Sequence, residues 1–127
     1  MCAALGNLPP LVLVAEVDPD LRDLFQDLLS DDDYRTIMVT DGEEAIALAL
    51  SQAPAIILLD LGLPRLDGPA FCRAYRELGG AAPIVVVTAA NQQTVEEALR
   101  VCGAVAYILK PFKIDRVLDT IERFATV

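Results

Sequence analysis

The stretch Ile56-Ile57-Leu58-Leu59-Asp60 sets four large apolar side chains directly before a carboxylate, and a loop containing Gly62, Pro64 and Gly68 follows. A short continuous apolar run bounded by turn residues reads as a strand buried on both faces. Asp60 then ends that strand, with limited solvent on one side. Four comparable runs lie around it. Leu11 to Ala15 (LVLVA) is a second central strand. Arg35 to Val39 is weaker and predicts a strand nearer an edge. Pro83 opens a run from Ile84 to Val87 that ends at Thr88, and Tyr107 to Leu109 ends at Lys110-Pro111.

Amphipathic segments separate these runs. Asp18-Pro19 marks a helix start, because the carboxylate can cap the first amides and proline suits the first turn. Leu21, Leu24, Phe25 and Leu28 follow at helical spacing. Thr40 with Glu43 resembles a capping box, and Asp41 competes for the cap. The next stripes are Ile46, Ala49 and Leu50, then Phe71, Cys72, Tyr75 and Leu78. Val95, Leu99 and Cys102 precede Gly103, a C-cap residue. Ile114, Val117, Leu118, Ile121 and Phe124 mark the last helix. Five βα units of this kind predict an α/β fold, a mostly parallel sheet with helices on both faces. Right-handed crossovers follow. Residues 1–10 read as an N-terminal extension and residues 11–127 as one domain.

Composition narrows the function. The chain is 54% hydrophobic and 23% charged, a globular balance. Nineteen acidic residues against ten basic ones give a net charge of −9, and no Lys/Arg run occurs, which argues against direct nucleic-acid binding. The absence of His removes most zinc sites, Ser-His-Asp triads and every histidine general base. Three widely spaced cysteines suggest no disulfide framework, and Cys72 and Cys102 read as small buried hydrophobes. No leader-like N-terminus and no membrane-length apolar segment is visible, so a soluble, cytoplasmic domain without membrane insertion is expected.

Ligands of open α/β sheets gather beyond the carboxyl ends of the strands. Glu16, Asp18, Asp60, Thr88 and Lys110 stand there, supplied by four different runs. Acids crowded into one small site call for a cation, and Mg²⁺ takes hard oxygen ligands while keeping several waters. A lysine beside a hydroxyl suits phosphoryl oxygens. The plainer reading makes these residues helix caps and solvated loop groups, and it suits Asp18 best.

The ordered motifs resemble the receiver domain of two-component response regulators, over about Leu11 to Phe124. LLDLGLPRLDG, Leu58 to Gly68, matches the phosphoacceptor segment, with Asp60 at the acceptor position. VVVTA, Val85 to Ala89, places Thr88 at the switch hydroxyl. YILKPF, Tyr107 to Phe112, places Tyr107 at the aromatic switch, Lys110 at the phosphate-contacting lysine and Pro111 after it through a cis bond. Gly62 matches the residue whose carbonyl binds metal. The resemblance implies a flavodoxin-like three-layer α/β/α fold with a five-stranded parallel sheet in order 2-1-3-4-5. It also implies a signalling switch that takes a phosphoryl group on Asp60 from a histidine kinase or histidine phosphotransfer protein. The chain would catalyse at most its own aspartyl phosphorylation and dephosphorylation, with Mg²⁺, and would act on a downstream output domain or protein. It is expected to be a stand-alone receiver or a piece of a longer regulator or hybrid kinase.

Two departures bear on that implication. Such receivers carry an acidic pair after the first strand, and this chain reads Glu16-Val17-Asp18-Pro19. Glu16 matches the first acid, Val17 falls where the direct metal ligand belongs, and Asp18 is a cap or a displaced ligand. A weakened Mg²⁺ site held by Glu16, Asp60 and the Gly62 carbonyl is therefore expected. A receiver-like binding module with little or no Mg²⁺-dependent phosphorylation is the alternative. Ala106 replaces the acid usual before the tyrosine, which argues against the salt-bridged dimer of some relatives. A phosphohydrolase is disfavoured because Gly62 occupies the place of its second acid. A flavin carrier is disfavoured because Glu-Val-Asp-Pro would repel phosphate.

Overall fold

Strand β3 (Ile56–Leu59) is buried along its whole length, as its unbroken apolar sequence requires. In a computed structural model that describes residues 9–89 and 92–125, it is the centre of a five-stranded sheet ordered β2-β1-β3-β4-β5. The other strands are β1 (Leu11–Ala15), β2 (Arg35–Val39), β4 (Ile84–Thr88) and β5 (Ala106–Leu109), and every pairing is parallel. The weak run Arg35–Val39 forms an edge strand, as expected. Apart from Pro9 and Pro10, the predicted N-terminal extension lies outside the described residues.

Alternate residues of each strand feed two cores. Val12, Val14, Ile56, Leu58, Val85 and Val87 face α1 (Pro19–Asp31) and α5 (Ile114–Phe124) through Phe25, Leu29, Val117 and Ile121. Leu13, Ala15, Ile57, Leu59 and Ile84 face α2 (Gly42–Gln52), α3 (Gly68–Glu77) and α4 (Gln92–Cys102), through residues such as Ala45, Phe71, Tyr75 and Cys102. The result is the three-layer arrangement expected. Cys72 and Cys102 are buried free thiols.

Three stripe assignments need correction. Leu50 is exposed, because α2 buries Gly42, Ala45 and Ala49, packs Ile46 and Leu48 beside them and turns Leu50 outward. Leu78 is exposed because α3 ends at Glu77 and Leu78 is its C-cap. Ile114 is exposed at the first position of α5, where the helix has not yet settled on the sheet. The α2 cap is Asp41, whose side chain accepts from the Glu44 amide at 2.8 Å. Glu44 in place of Glu43 reaches back to the Thr40 amide at 3.4 Å, so the capping pattern is shifted by one residue. Gly103 has φ +64° and donates to Leu99 O at 2.8 Å, the left-handed C-cap that its sequence position predicts.

The loop after β3 is held by close backbone approaches. A Cβ at Gly42 would collide with the Leu66 carbonyl, and one at Gly68 would stand 2.9 Å from Leu61 Cα. Glycine at both places lets the starts of α2 and α3 close on the loop that follows Asp60.

Candidate functional site

Two backbone hydrogen bonds extend the sheet by one residue at the point where its polar residues begin. The Asp60 amide donates to Ala15 O at 2.9 Å, which sets Asp60 beside Glu16. The Lys110 amide donates to Thr88 O at 2.8 Å, which ties the ends of β4 and β5. Glu16, Asp60 and Thr88 are all buried, although each is polar. Burial of such groups requires partners.

Lys110 supplies one to each of the two carboxylates. Its Nζ lies 2.9 Å from Glu16 Oε1 and 3.1 Å from Oε2, and 3.6 Å from Asp60 Oδ2. One ammonium thus serves two carboxylates and is nearer to Glu16. The Asp18 amide adds a bond to Glu16 Oε2 at 3.1 Å. Asp60 Oδ1 accepts from the Gly62 amide at 3.0 Å, which pins the loop under the acid. The sequence suggested that these residues share an edge. The lysine bridge between two acids has no signal in the sequence, where Glu16 and Lys110 stand 94 residues apart.

Burial raises the Glu16 carboxyl above its ordinary value of 4.5; Lys110 opposes the rise, Asp60 adds to it, and the Asp18 amide opposes it. An acid raised by folding stabilises the fold most below its unfolded pKa and loses that contribution as pH rises through the folded one. The stability gained on Glu16→Gln, relative to the parent, is therefore expected to grow as pH rises from about 4.5 through the raised value. Urea unfolding of both proteins across that window measures it, and a flat difference contradicts it.

The remaining predicted residues are placed as follows. The Asp18 side chain caps α1, accepting from the Asp20 amide at 2.9 Å. Gly62 is exposed, two residues beyond Asp60. Tyr107 is half-buried on β5, paired with Val86, and its carbonyl accepts from Arg116 at 3.2 Å. The Lys110-Pro111 bond is cis. Val17 is 40% exposed, an apolar side chain directly after Glu16. Arg22, absent from the sequence-level candidates, donates through one guanidinium nitrogen to Glu16 O at 3.0 Å and Val17 O at 2.9 Å.

Glu16 and Asp60 offer adjacent hard oxygens, the donor type that Mg²⁺ takes alongside waters. Lys110 already neutralises part of their charge. Among the described residues no group of three or more acids, cysteines or histidines is arranged to hold a metal. The oxygen chemistry of Glu16 and Asp60 fits Mg²⁺.

Comparison with known proteins agrees with this architecture. The profile of the response regulator receiver domain matches residues 12–122. Response regulator MprA of Mycolicibacterium vanbaalenii is 35% identical over 87% of this chain, which spans 48%, about half, of MprA's length. The polar-differentiation response regulator DivK of Brucella anthropi is 32% identical over 92% of this chain and 97% of DivK. The receiver domain of sensor histidine kinase PA1611 from Pseudomonas aeruginosa PAO1, solved with magnesium coordinated in its active-site cleft, superposes with a TM-score of 0.84. It shares 30% identity over 91% of this chain and 97% of that one. With the sheet order, the paired acids and the strand-end lysine, these matches place the chain in the response-regulator receiver domain family, the phosphoacceptor modules of two-component signalling.

Proposed function

We propose that Asp60 is the phosphoacceptor, receiving a phosphoryl group from a histidine kinase or histidine phosphotransfer protein. One observation carries the reading: Asp60 is a buried strand-end carboxylate with one oxygen pinned by the Gly62 amide and the other 3.6 Å from the Lys110 ammonium. In the transfer, a carboxylate oxygen of Asp60 forms the new O–P bond while the P–N bond to the donor imidazole breaks. The bonding pair stays on nitrogen, and an acyl phosphate results. Lys110 neutralises charge on the phosphoryl oxygens, and the pinned carboxylate holds the line of attack. Thr88 is the hydroxyl that follows the phosphoryl group, and Tyr107 is the aromatic whose packing reports the change.

Glu16, Asp60 and the Gly62 carbonyl are the groups that would hold Mg²⁺, with Asp18 left to its cap. When bound, Mg²⁺ supplies further charge neutralisation at the transferring oxygens. The donor docks at the groove beside Lys110, lined by Leu21, Leu24, Ala89, Pro111 and Phe112. Residues 11–127 form this unit, with 1–10 ahead of it, and the output is a separate domain or protein. The free thiols of Cys72 and Cys102 suit the reducing cytoplasm. No described helix is long and apolar enough to cross a membrane. The exposed Val17 favours one alternative, a binding module of the same fold with little phosphorylation.

The test is incubation with a small phosphodonor, read by intact mass across a Mg²⁺ titration. Addition of one phosphoryl group at Asp60 supports the reading, and no addition at any Mg²⁺ concentration rejects it in favour of the binding module. Lys110→Ala should slow labelling and also cost stability, by about 2–3 kcal/mol, because it strands Glu16 without its buried counter-charge. Adding Glu16→Gln should restore most of that stability but not the labelling. A double variant as unstable as Lys110→Ala alone would remove the ion pair from the account.

A further inference from the structure

We infer that Arg22 is the positioning residue of this centre: it clamps the turn after β1 and so holds the Glu16 carboxylate in place against Lys110. The inference rests on the phosphoacceptor reading of Asp60. Arg22 lies at the end of the first turn of α1, its amide bonded to Asp18 O at 3.0 Å. A cation there opposes the positive end of the helix dipole, so helix stability does not explain it. Its guanidinium instead reaches back out of the helix. One nitrogen, carrying two hydrogens, donates to the carbonyls of Glu16 and Val17 at 3.0 and 2.9 Å.

Those carbonyls belong to the two consecutive peptide groups that join Glu16 to Val17 and Val17 to Asp18, the turn on which the site depends. On one side, the Glu16 amide is fixed to Val39 O at 3.1 Å. On the other, the Asp18 amide bonds Glu16 Oε2 at 3.1 Å. Between them, Val17 has a side chain that can form no hydrogen bond, and Pro19, just beyond Asp18, has no amide hydrogen. Arg22 is the side chain that closes the turn. Loss of the clamp lets the turn shift, and Glu16 moves with it. Lys110 then falls back toward Asp60, nearer an acid that must stay free to attack. The Val17 bond is exposed and the Glu16 bond only partly buried, so water can replace Arg22 at the carbonyls. The fold should survive where the geometry does not.

The test compares parent, Arg22→Ala and Arg22→Lys in the full chain. Arg22→Ala should label about tenfold more slowly at saturating phosphodonor, with an almost unchanged donor KM and Tm. Arg22→Lys should recover most of the rate, since an ammonium can also bridge two carbonyls. In metal-free NMR spectra the Asp18 amide resonance, which reports its bond to Glu16, should move in Arg22→Ala and return in Arg22→Lys. Three results overturn the inference: an Arg22→Ala rate equal to the parent, a loss that tracks unfolding, or no rescue by lysine. If the parent takes up no phosphoryl group, the phosphoacceptor reading fails, and the Asp18 resonance alone decides whether Arg22 holds the turn. If Arg22→Ala does not fold, Arg22→Met, which keeps an apolar stem and lacks the donors, takes its place in the same comparison with the parent and Arg22→Lys.

Discussion

Asp60→Asn is expected to take up no phosphoryl group from a small donor or a kinase, while folding at least as stably as the parent. The chemistry is lost because an amide oxygen is a far poorer nucleophile than a carboxylate and cannot form the acyl phosphate. The fold is retained because the asparagine carbonyl can still accept from the Gly62 amide. The charge balance improves, since Lys110 then serves Glu16 alone instead of two carboxylates. Removing one of two acids that share a single ammonium should raise stability by about 1 kcal/mol. The charge on Asp60 also helps to hold the Glu16 carboxyl above its ordinary value. In Asp60→Asn that push is gone, and the Glu16 titration should move downward. Labelling by mass, urea unfolding and carboxyl NMR titration check the three parts. Undiminished labelling, mapped to another acid, would remove Asp60 from the centre; a large loss of stability would make it a structural residue.

The parts legible in the sequence were those written in consecutive residues. Runs such as Ile56–Leu59 and Ile84–Thr88 are buried on both faces, so their apolar sequence is unbroken and their polar ends are conspicuous. Helix faces were harder. On α2 the fully buried residues are Gly42, Ala45 and Ala49, whose small size lets the backbone approach and gives little hydrophobic signal; Ile46 and Leu48 pack beside them only partly buried, and Leu50 points away. Electrostatic partnership was harder still. Glu16 and Lys110 are 94 residues apart and meet only because β1 and β5 end at the same edge. Arg22 looks like any charged residue of an amphipathic helix until its carbonyl partners are known. Its one sequence-level signal is a positive charge in the first turn, where the dipole disfavours it.

Val17→Asp is expected to tighten Mg²⁺ binding by about tenfold, equivalent to about 1.4 kcal/mol. Val17 directly follows Glu16 and is exposed, and its own carbonyl is taken by Arg22. A carboxylate there adds a hard oxygen and a full negative charge, and valine offers neither. The Arg22 bonds go to backbone oxygens, so the substitution leaves the clamp in place. The gain is smaller than a free carboxylate would give, because a third acid joins Glu16 and Asp60 around one lysine. Metal-free Val17→Asp should therefore be less stable than the parent. Packing contributes little to that loss, because Val17 is already 40% exposed and its burial is worth under about 1 kcal/mol. Added Mg²⁺ should restore the difference by linkage, since the ion binds only the folded state. Calorimetric titration of both proteins, unfolding with and without Mg²⁺, and labelling rates at saturating metal measure each part. Equal affinities would mean that the existing oxygens already complete the site and that the valine is silent. No detectable Mg²⁺ binding or labelling in the parent, with both appearing in the variant, would identify a binding module that lost its chemistry through one side chain. Measurable labelling in the parent, accelerated in the variant, is the outcome expected if Asp60 is the acceptor, because Lys110 and the pinned loop are already in place around it.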